Sequence, residues 1–250
     1  MKILCLGDSI MQFNDCTSFP QTGWVQFLDR FFKRGTVILN FARNGRSSKS
    51  FIAEGRFDIV LKNCEKGDFA LIQFAHNDEK IADKTRFSSP EEGGDFRKNL
   101  TFFVENLRSK GVMPILLTPV VRRKFDENGK IVNSHGEYPD AIKQTAQKLN
   151  VPCIDLAKET ADFFEKKGAE NSKRYFMNFE KGLYSSFIDG KSDDSHLRPD
   201  GAFEVSRIFA ESLSKVDLNQ FEEYKPLIDC LALKGVYTDK DIDDEKLMWK

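Results

Sequence analysis

A serine near the start of the chain follows a segment typical of a buried strand. Ser9 comes after the apolar run ILCL at residues 3–6, whose composition is that of a strand covered on both faces of a parallel sheet. A serine at the carboxyl end of such a strand lies where open α/β folds bind their ligands. A turn with a loop-capping serine is the alternative interpretation of Gly7-Asp8-Ser9. Ser9 is therefore a candidate nucleophile that needs partners elsewhere.

A base for this serine is offered by one of only three histidines in the chain. His196 alone has an acid three residues before it, Asp193. In a D-x-x-H loop the Asp193 carboxylate can turn back onto Nδ1 of His196 and leave Nε2 free to face Ser9. A solvated polar loop is the alternative, because this spacing is common in acid-rich chains. The pattern predicts Ser9 as nucleophile, His196 as base and Asp193 as the group that orients the base.

Acyl transfer also requires hydrogen-bond donors directed at the oxyanion. The loops after two further strand candidates offer the Gly45 backbone N–H and the Asn77 side-chain amide. An Asn-Gly turn at residues 44–45 and a helix or turn cap at residues 77–78 are the alternatives. Gly45, Asn77 and Ser9 each follow a predicted strand, so we expect them on one rim of a sheet.

The elements that position these residues alternate regularly between strand and helix patterns. Strands are predicted near residues 2–7, 36–42, 69–74, 112–117 and 151–155, and helices near 24–32, 48–61, 95–110, 139–149 and 199–214. Short helices are expected within residues 156–183, and a loop at 193–198. This alternation predicts parallel strands with right-handed crossovers, hence an α/β fold with a three-layer α/β/α sandwich around five strands.

Composition narrows the class of protein further. The 250 residues suit one large domain at 1–218, followed by a charged extension, 219–250, that packs on the domain or on a partner subunit of a homo-oligomer. Lys and Arg number 38 against 39 Asp and Glu, which disfavours nucleic acid and membrane surfaces as partners. Five scattered cysteines without C-x-x-C spacing and the lack of a signal-peptide pattern indicate a cytoplasmic protein.

Four motifs together resemble a known family. In chain order they are Gly7-Asp8-Ser9, Gly45, Asn77-Asp78 and Asp193-x-x-His196, and they are similar to the motifs of SGNH or GDSL hydrolases. The surrounding segments Asn44–Ser47, Phe74–Asp78, His135–Pro139 and the aspartate-rich loop before His196 resemble rhamnogalacturonan acetylesterases.

The resemblance covers about residues 2–213 and implies a flavodoxin-like sheet of strand order 2-1-3-4-5. It implies Ser9 as nucleophile, His196 and Asp193 as base and orienting acid, and the N–H groups of Ser9 and Gly45 with Asn77 as the oxyanion hole. No metal or cofactor is required by this chemistry. One residue departs from the family pattern, since Ala75 stands where the family has glycine, and its methyl group lies beside the oxyanion pocket.

The leading functional hypothesis is a carbohydrate O-acetylesterase acting on an oligosaccharide or small-molecule ester. A short-chain acyl-esterase, a thioesterase and a lipase-like hydrolase would use the same residues, and a flavodoxin-like binding module is the alternative from another class. Asp8, Arg46, His76 and Arg198 are further candidates for substrate contacts, although His76 also fits packing within its loop. Cations near these loops predict recognition of a uronic-acid sugar, with solvated loop charges as the alternative: Arg43, Arg46, Lys49, Arg122, Arg123 and Arg198.

Overall fold

A five-stranded parallel sheet lies at the centre of the computed structural model, which describes residues 1–233. Its strands are β1 Lys2–Gly7, β2 Val37–Asn40, β3 Phe69–Gln73, β4 Met113–Leu117 and β5 Cys153–Ile154. They are ordered β2-β1-β3-β4-β5, and every neighbouring pair is parallel. The predicted α/β class and strand order are confirmed. The order reverses beside β1, so the residues after β1 lie at the point where such sheets bind ligands.

Helices cover both faces of this sheet because its central strands are apolar on both sides. The helices are α1 Ser48–Ala53, α2 Arg56–Asn63, α3 Asp95–Ser109, α4 Tyr138–Leu149, α5 Leu156–Lys167, α6 Pro199–Leu213 and α7 Lys225–Asp229. Ile3 and Cys5 of β1 face a core shared with α5 and α6, whereas Leu4 and Leu6 face a core shared with α1 to α4. The result is the three-layer sandwich that the sequence predicts.

Two predicted helices differ in the structure. The segment near residues 24–32 is a 3₁₀ helix, Trp24–Phe31, and the single helix predicted over 48–61 is two helices. Gly55 separates them, with φ of 68°, a left-handed conformation that glycine adopts without steric cost. The break ends α1, which begins directly after the Gly45 loop, where the Ser47 hydroxyl accepts the N–H of Ser50 and caps the helix.

An antiparallel hairpin contradicts the predicted loop before His196. Strand β6 (Phe176–Phe179), which follows a short 3₁₀ helix at Asn171–Tyr175, pairs with β7 (Lys191–Leu197). Residues 176–179 are thus a strand and not one of the short helices expected there. Only the last residue of β7 is fully buried, so this strand does not need the alternation of apolar and polar residues that marks a half-buried strand. Its sequence, KSDDSHL, accordingly shows none. The D-x-x-H motif therefore lies on a strand.

The first part of the carboxyl-terminal segment packs on the domain. After a 3₁₀ helix at Glu222–Tyr224, Tyr224 and Leu227 are buried in the core of β1, α5 and α6, and the Tyr224 hydroxyl donates to the carbonyl of Pro114 at 2.7 Å. Leu231 pairs with Phe32 in an isolated bridge. The rest of the predicted extension, 234–250, lies outside the described residues. No helix within residues 1–233 has the length and apolar character needed to cross a membrane.

Candidate active site

The turn after β1 presents Ser9 at the edge of the sheet. The carbonyl of Asp8 accepts the N–H groups of Met11 and Gln12 at 3.2 and 3.1 Å, and its Oδ1 accepts that of Ile10 at 3.0 Å. A Cβ at Gly7 would lie 2.5 Å from Met11 Sδ and 2.8 Å from the carbonyl oxygen of Gln73. Glycine at this position thus allows the chain to turn tightly against β3, which holds Ser9 in a fixed place.

Ser9, His196 and Asp193 form a continuous chain of hydrogen bonds. Ser9 Oγ lies 3.0 Å from His196 Nε2, and His196 Nδ1 lies 2.8 Å from Asp193 Oδ2. Asp193 Oδ1 also accepts the backbone N–H groups of Ser195 and His196 at 2.9 and 3.0 Å. The Asp193 carboxylate therefore fixes both the backbone of the motif and the orientation of the imidazole.

The charge state of Asp193 follows from these contacts. Burial alone would raise the pKa of Asp193, but the hydrogen bond and charge of His196 together with the two backbone donors outweigh it. The pKa of Asp193 is held well below its usual range, so the carboxylate is ionised at neutral pH. An ionised acceptor on Nδ1 favours the tautomer that carries its proton there and leaves Nε2 of His196 as the atom that can take a proton from Ser9.

Asn77 is held with its amide nitrogen towards the Gly45 loop. Its Oδ1 accepts a hydrogen bond from Lys80 Nζ at 2.8 Å, and its Nδ2 donates to the carbonyl of Arg46 at 3.0 Å. Because an ammonium group can only donate, the contact with Lys80 defines which end of the amide is oxygen. Nδ2 carries a second N–H, which is available to a ligand in the cavity beside Ser9.

Two backbone donors complete the set around Ser9. Gly45 adopts φ of 77°, a left-handed conformation, in the loop after β2. The N–H groups of Ser9 and Gly45 donate no hydrogen bond to any group in the described part of the chain. Together with the second N–H of Asn77 they supply three donors at one cavity, the arrangement that stabilises an oxyanion.

These groups line a cavity of about 400 Å³. Its walls are polar or charged residues and one glycine: Ser9, Gln21, Asn44, Gly45, His76, Asn77, Lys80, Arg122, Ser195 and His196. The structure thus brings Ser9, His196, Gly45, Asn77 and His76 together, with Asp193 behind the imidazole. Arg46 and Arg198, two of the candidates for substrate contacts, are not among its walls.

Asp8 and His76 form a buried pair beside Ser9. His76 Nδ1 lies 3.5 Å from Asp8 Oδ2, and the His76 ring packs edge-on against that of His135 with centroids 4.5 Å apart. Burial lowers the pKa of His76 despite the nearby carboxylate, so the ring is neutral at pH 7. Within residues 1–233 neither ring nitrogen of His76 has a hydrogen-bond partner. His76 therefore packs in its loop and also faces the cavity.

Most of the cations expected to recognise a uronate are already paired. Arg46 Nε lies 2.9 Å from Glu54, Arg123 Nε lies 2.6 Å from Asp194, and Arg122 pairs with Glu79. Lys49 Nζ donates to the carbonyl of Lys84 at 2.9 Å. Three of the arginines thus already have acidic partners, and recognition of a uronate by this set stays a prediction.

Residues that sequence reasoning missed also shape the cavity. Gln21 and Lys80 line it, and only Lys80 carried a local signal, its position three residues after Asn77. Arg122, also in the wall, is one of the cations that the sequence predicted near these loops. Asp78 is fully buried and accepts the N–H of Ser48 at 3.0 Å and its hydroxyl at 2.5 Å. Asp78 thereby ties the Asn77 loop to the start of α1, and burial raises its pKa to about 7.

The methyl group of Ala75 does not open the Asn77 loop. Ala75 is fully buried in the core of α1 to α4, and its carbonyl accepts the N–H of Glu79 at 3.1 Å. This backbone hydrogen bond closes a turn that carries Asn77 to the cavity wall. The geometry at the carboxyl side of β3 therefore accommodates alanine where the resemblance expects glycine.

Known proteins that are similar to this chain include two named as acetylesterases. The model of the GDSL-like Lipase/Acylhydrolase family matches residues 5–179. The chain is 38% identical to the rhamnogalacturonan acetylesterase RhgT of Bacillus subtilis, over 87% of this chain and 91% of that protein. It is 35% identical to the probable rhamnogalacturonan acetylesterase YesY of the same organism, over 86% and 94%. The crystal structure of YxiM from Bacillus subtilis superposes with a TM-score of 0.73 at 24% identity, covering 86% of this chain and 56% of that one.

Proposed function

Because the chain belongs to the GDSL-like lipase/acylhydrolase family, we propose that Ser9, His196 and Asp193 hydrolyse O-acetyl esters of carbohydrate. The protein is a carboxylic ester hydrolase of the carbohydrate acetylesterase type, and its substrates are rhamnogalacturonan-type oligosaccharides. The observation that carries the assignment of roles is the hydrogen-bonded chain from Ser9 Oγ through His196 to Asp193, at 3.0 and 2.8 Å.

Acylation begins when Ser9 Oγ attacks the carbonyl carbon of the acetyl ester and His196 Nε2 takes the hydroxyl proton. The carbonyl oxygen becomes an oxyanion that accepts the N–H groups of Ser9 and Gly45 and the second N–H of Asn77. His196 then gives its proton to the departing sugar oxygen. The carbon–oxygen bond to the sugar breaks, and an acetyl group remains on Ser9.

Deacylation repeats these steps with water as the nucleophile. His196 Nε2 takes a proton from the water that attacks the acetyl carbon, and the same three donors hold the second oxyanion. The proton returns to Ser9 Oγ as the acetyl–serine bond breaks, and acetate leaves. Asp193 stays ionised throughout and stabilises the imidazolium that forms twice in each cycle.

The cavity walls favour a polar alcohol over a long acyl chain. Apart from Gly45, every wall residue carries a polar or charged side chain. Hydroxyl groups of a sugar can exchange hydrogen bonds with Gln21, Asn44 and Ser195, whereas an extended hydrocarbon chain would desolvate these groups without replacing their hydrogen bonds. This contrast argues against the lipase-like and long-chain thioesterase alternatives. The aligned Ser9, His196 and Asp193 argue against a binding module without catalysis.

Hydrolysis of a graded set of esters tests the proposal. We expect p-nitrophenyl acetate to be cleaved faster than the butyrate and far faster than the octanoate, and acetate to be released from acetylated rhamnogalacturonan oligomers. Ser9→Ala protein prepared in the same way controls for contaminating esterases. A folded protein that hydrolyses none of these esters would refute the proposal, and preference for the octanoate would indicate a lipase-like enzyme.

A further inference from the structure

A second cavity, of about 780 Å³, opens on the hairpin of β6 and β7. Four cationic side chains line it, Lys173, Lys181, Lys191 and Arg198, against a single acidic one, Glu180. The complete chain carries a net charge of −1, so this concentration of positive charge is local. A cavity with this balance favours an anionic ligand.

The lysines of this cavity differ from the cations around Ser9 in their partners. Lys181 and Lys191 are exposed, and neither forms an ion pair with any residue in the range 1–233. Lys191 Nζ lies 5.7 Å from the centre of the Phe187 ring, and Lys173 pairs with the largely exposed Glu170 at 2.8 Å. Their charges are therefore available to a ligand, since an exposed ion pair such as that of Lys173 is weak.

Arg198 supplies an ordered contact at the wall of the same cavity. Its guanidinium lies 5.6 Å from the ring centre of Tyr184 and 5.8 Å from that of Phe179, and it donates to the Tyr184 hydroxyl at 2.7 Å. Two aromatic rings and a hydrogen bond limit the rotamers of this long side chain. A planar guanidinium held in this way suits the recognition of a carboxylate.

Strand β7 contributes wall residues to both the second cavity and the reaction cavity. Arg198 is two residues after His196, which places their Cα atoms at most about 7 Å apart. Ser192, another of its wall residues, directly precedes Asp193. On the other side, the Tyr184 ring packs against that of Phe19 with centroids 5.6 Å apart, and Gln21, two residues further, lines the reaction cavity. Wall residues of the two cavities therefore adjoin along the chain, at residues 191–192 and 198 for the second cavity and at residues 195–196 for the reaction cavity.

We propose that the β6–β7 cavity is a subsite for the carboxylate of a uronic acid in the oligosaccharide whose acetyl group is cleaved at Ser9. Lys181 and Lys191 neutralise this carboxylate, Arg198 forms the wall beside it, and the three set the register of the chain over the nucleophile. The inference rests on the proposed function and adds to it the place and the residues of acidic-sugar recognition. The contacts between the carboxylate and these cations are partly exposed ion pairs. Their contribution to substrate binding therefore decreases with added salt, as the Debye length falls from about 30 Å at 0.01 M to about 10 Å at 0.1 M.

The test is the double variant Lys181→Gln/Lys191→Gln, compared with Lys62→Gln/Lys98→Gln, which removes two exposed charges from α2 and α3 on the other face of the sheet. We expect KM for acetylated galacturonate-containing oligomers at 0.01 M salt to rise roughly three- to thirtyfold in the first variant, with kcat little changed. Hydrolysis of p-nitrophenyl acetate and of acetylated xylo-oligomers should stay at the wild-type level. The Lys62/Lys98 control should behave as wild type on every substrate.

Binding to Ser9→Ala protein, measured by calorimetry with galacturonate oligomers, gives a readout independent of turnover. Binding that weakens in the Lys181/Lys191 background and with added salt supports the subsite. Unchanged KM and binding for the uronate oligomers, or an equal loss on neutral xylo-oligomers, would overturn it. If the subsite is overturned in an enzyme that still cleaves p-nitrophenyl acetate, the esterase proposal stays intact. Wild-type protein that is folded and inactive would refute the esterase proposal itself.

Discussion

Replacing Asn77 by alanine should slow catalysis without weakening substrate binding. Nδ2 of Asn77 has one N–H committed to the carbonyl of Arg46 at 3.0 Å and one left for the oxyanion. Removing one oxyanion donor of this kind costs about 2.7–4 kcal/mol of transition-state stabilisation, or roughly a hundred- to a thousandfold in kcat. Because the donor acts on charge that develops in the transition state, KM should change little.

Asn77→Ala also lowers the stability of the fold, and the experiment must separate this loss of stability from the loss in kcat. Asn77 is 4% exposed, so Asn77→Ala leaves the carbonyl of Arg46 without its donor, at about 1–3 kcal/mol of folding free energy. Asn77→Asp retains the volume and the acceptor for Lys80 but replaces Nδ2 by an oxygen. We expect kcat of Asn77→Asp to fall at least as far as that of the alanine variant.

The assay is steady-state hydrolysis of p-nitrophenyl acetate, with thermal unfolding to establish that each variant is folded. Lys80→Met is the matched control, because it releases Oδ1 of Asn77 and keeps both N–H groups of the amide. Its loss in kcat should be smaller than that of Asn77→Ala. A folded Asn77→Ala enzyme with kcat within tenfold of wild type, or with the whole loss in KM, would refute the oxyanion role.

Three further substitutions have defined outcomes. Ser9→Ala should lower kcat on the order of a millionfold, as for the nucleophile of a serine protease, and retention of a tenth of wild-type kcat in pure protein would contradict the mechanism. Asp193→Asn should lower kcat by about 10⁴, because an amide can hold the wrong tautomer of His196; activity near wild type would exclude the orienting role. Since burial raises the pKa of Asp78 to about 7, the native chain keeps a proton that the unfolded chain releases near pH 4, and the unfolding free energy should fall as pH rises between these values. Urea denaturation from pH 4 to 8 should show this fall, about 1.4 kcal/mol per unit of pKa shift, in wild type and not in Asp78→Asn; parallel curves would refute it.

The parallel sheet and the residues around Ser9 were predictable from local patterns. An apolar run such as residues 3–6 is long enough to indicate burial on both faces, and its regular alternation with helical patterns leaves few topologies. Ser9, Gly45 and Asn77 follow strands β1, β2 and β3 along the chain, and parallel strands bring their carboxyl ends to one edge. Their proximity thus follows from topology, and their catalytic roles stay predictions.

The hairpin and the partners of the cations were decided by the tertiary structure. Strand β7 has a polar sequence with no period of two, and it is a strand because β6 lies beside it. Arg123 pairs with Asp194, 71 positions away, and Arg122 with Glu79, 43 positions away, so no local pattern could show that these cations are neutralised. The sequence by itself determined the sheet, its order of elements and the rim where a serine, a histidine and their donors meet, since burial patterns are local. Only the tertiary structure decided which charges are available to a substrate. Ion pairs such as these form between side chains that are distant in the sequence and that folding brings within a few ångströms of one another.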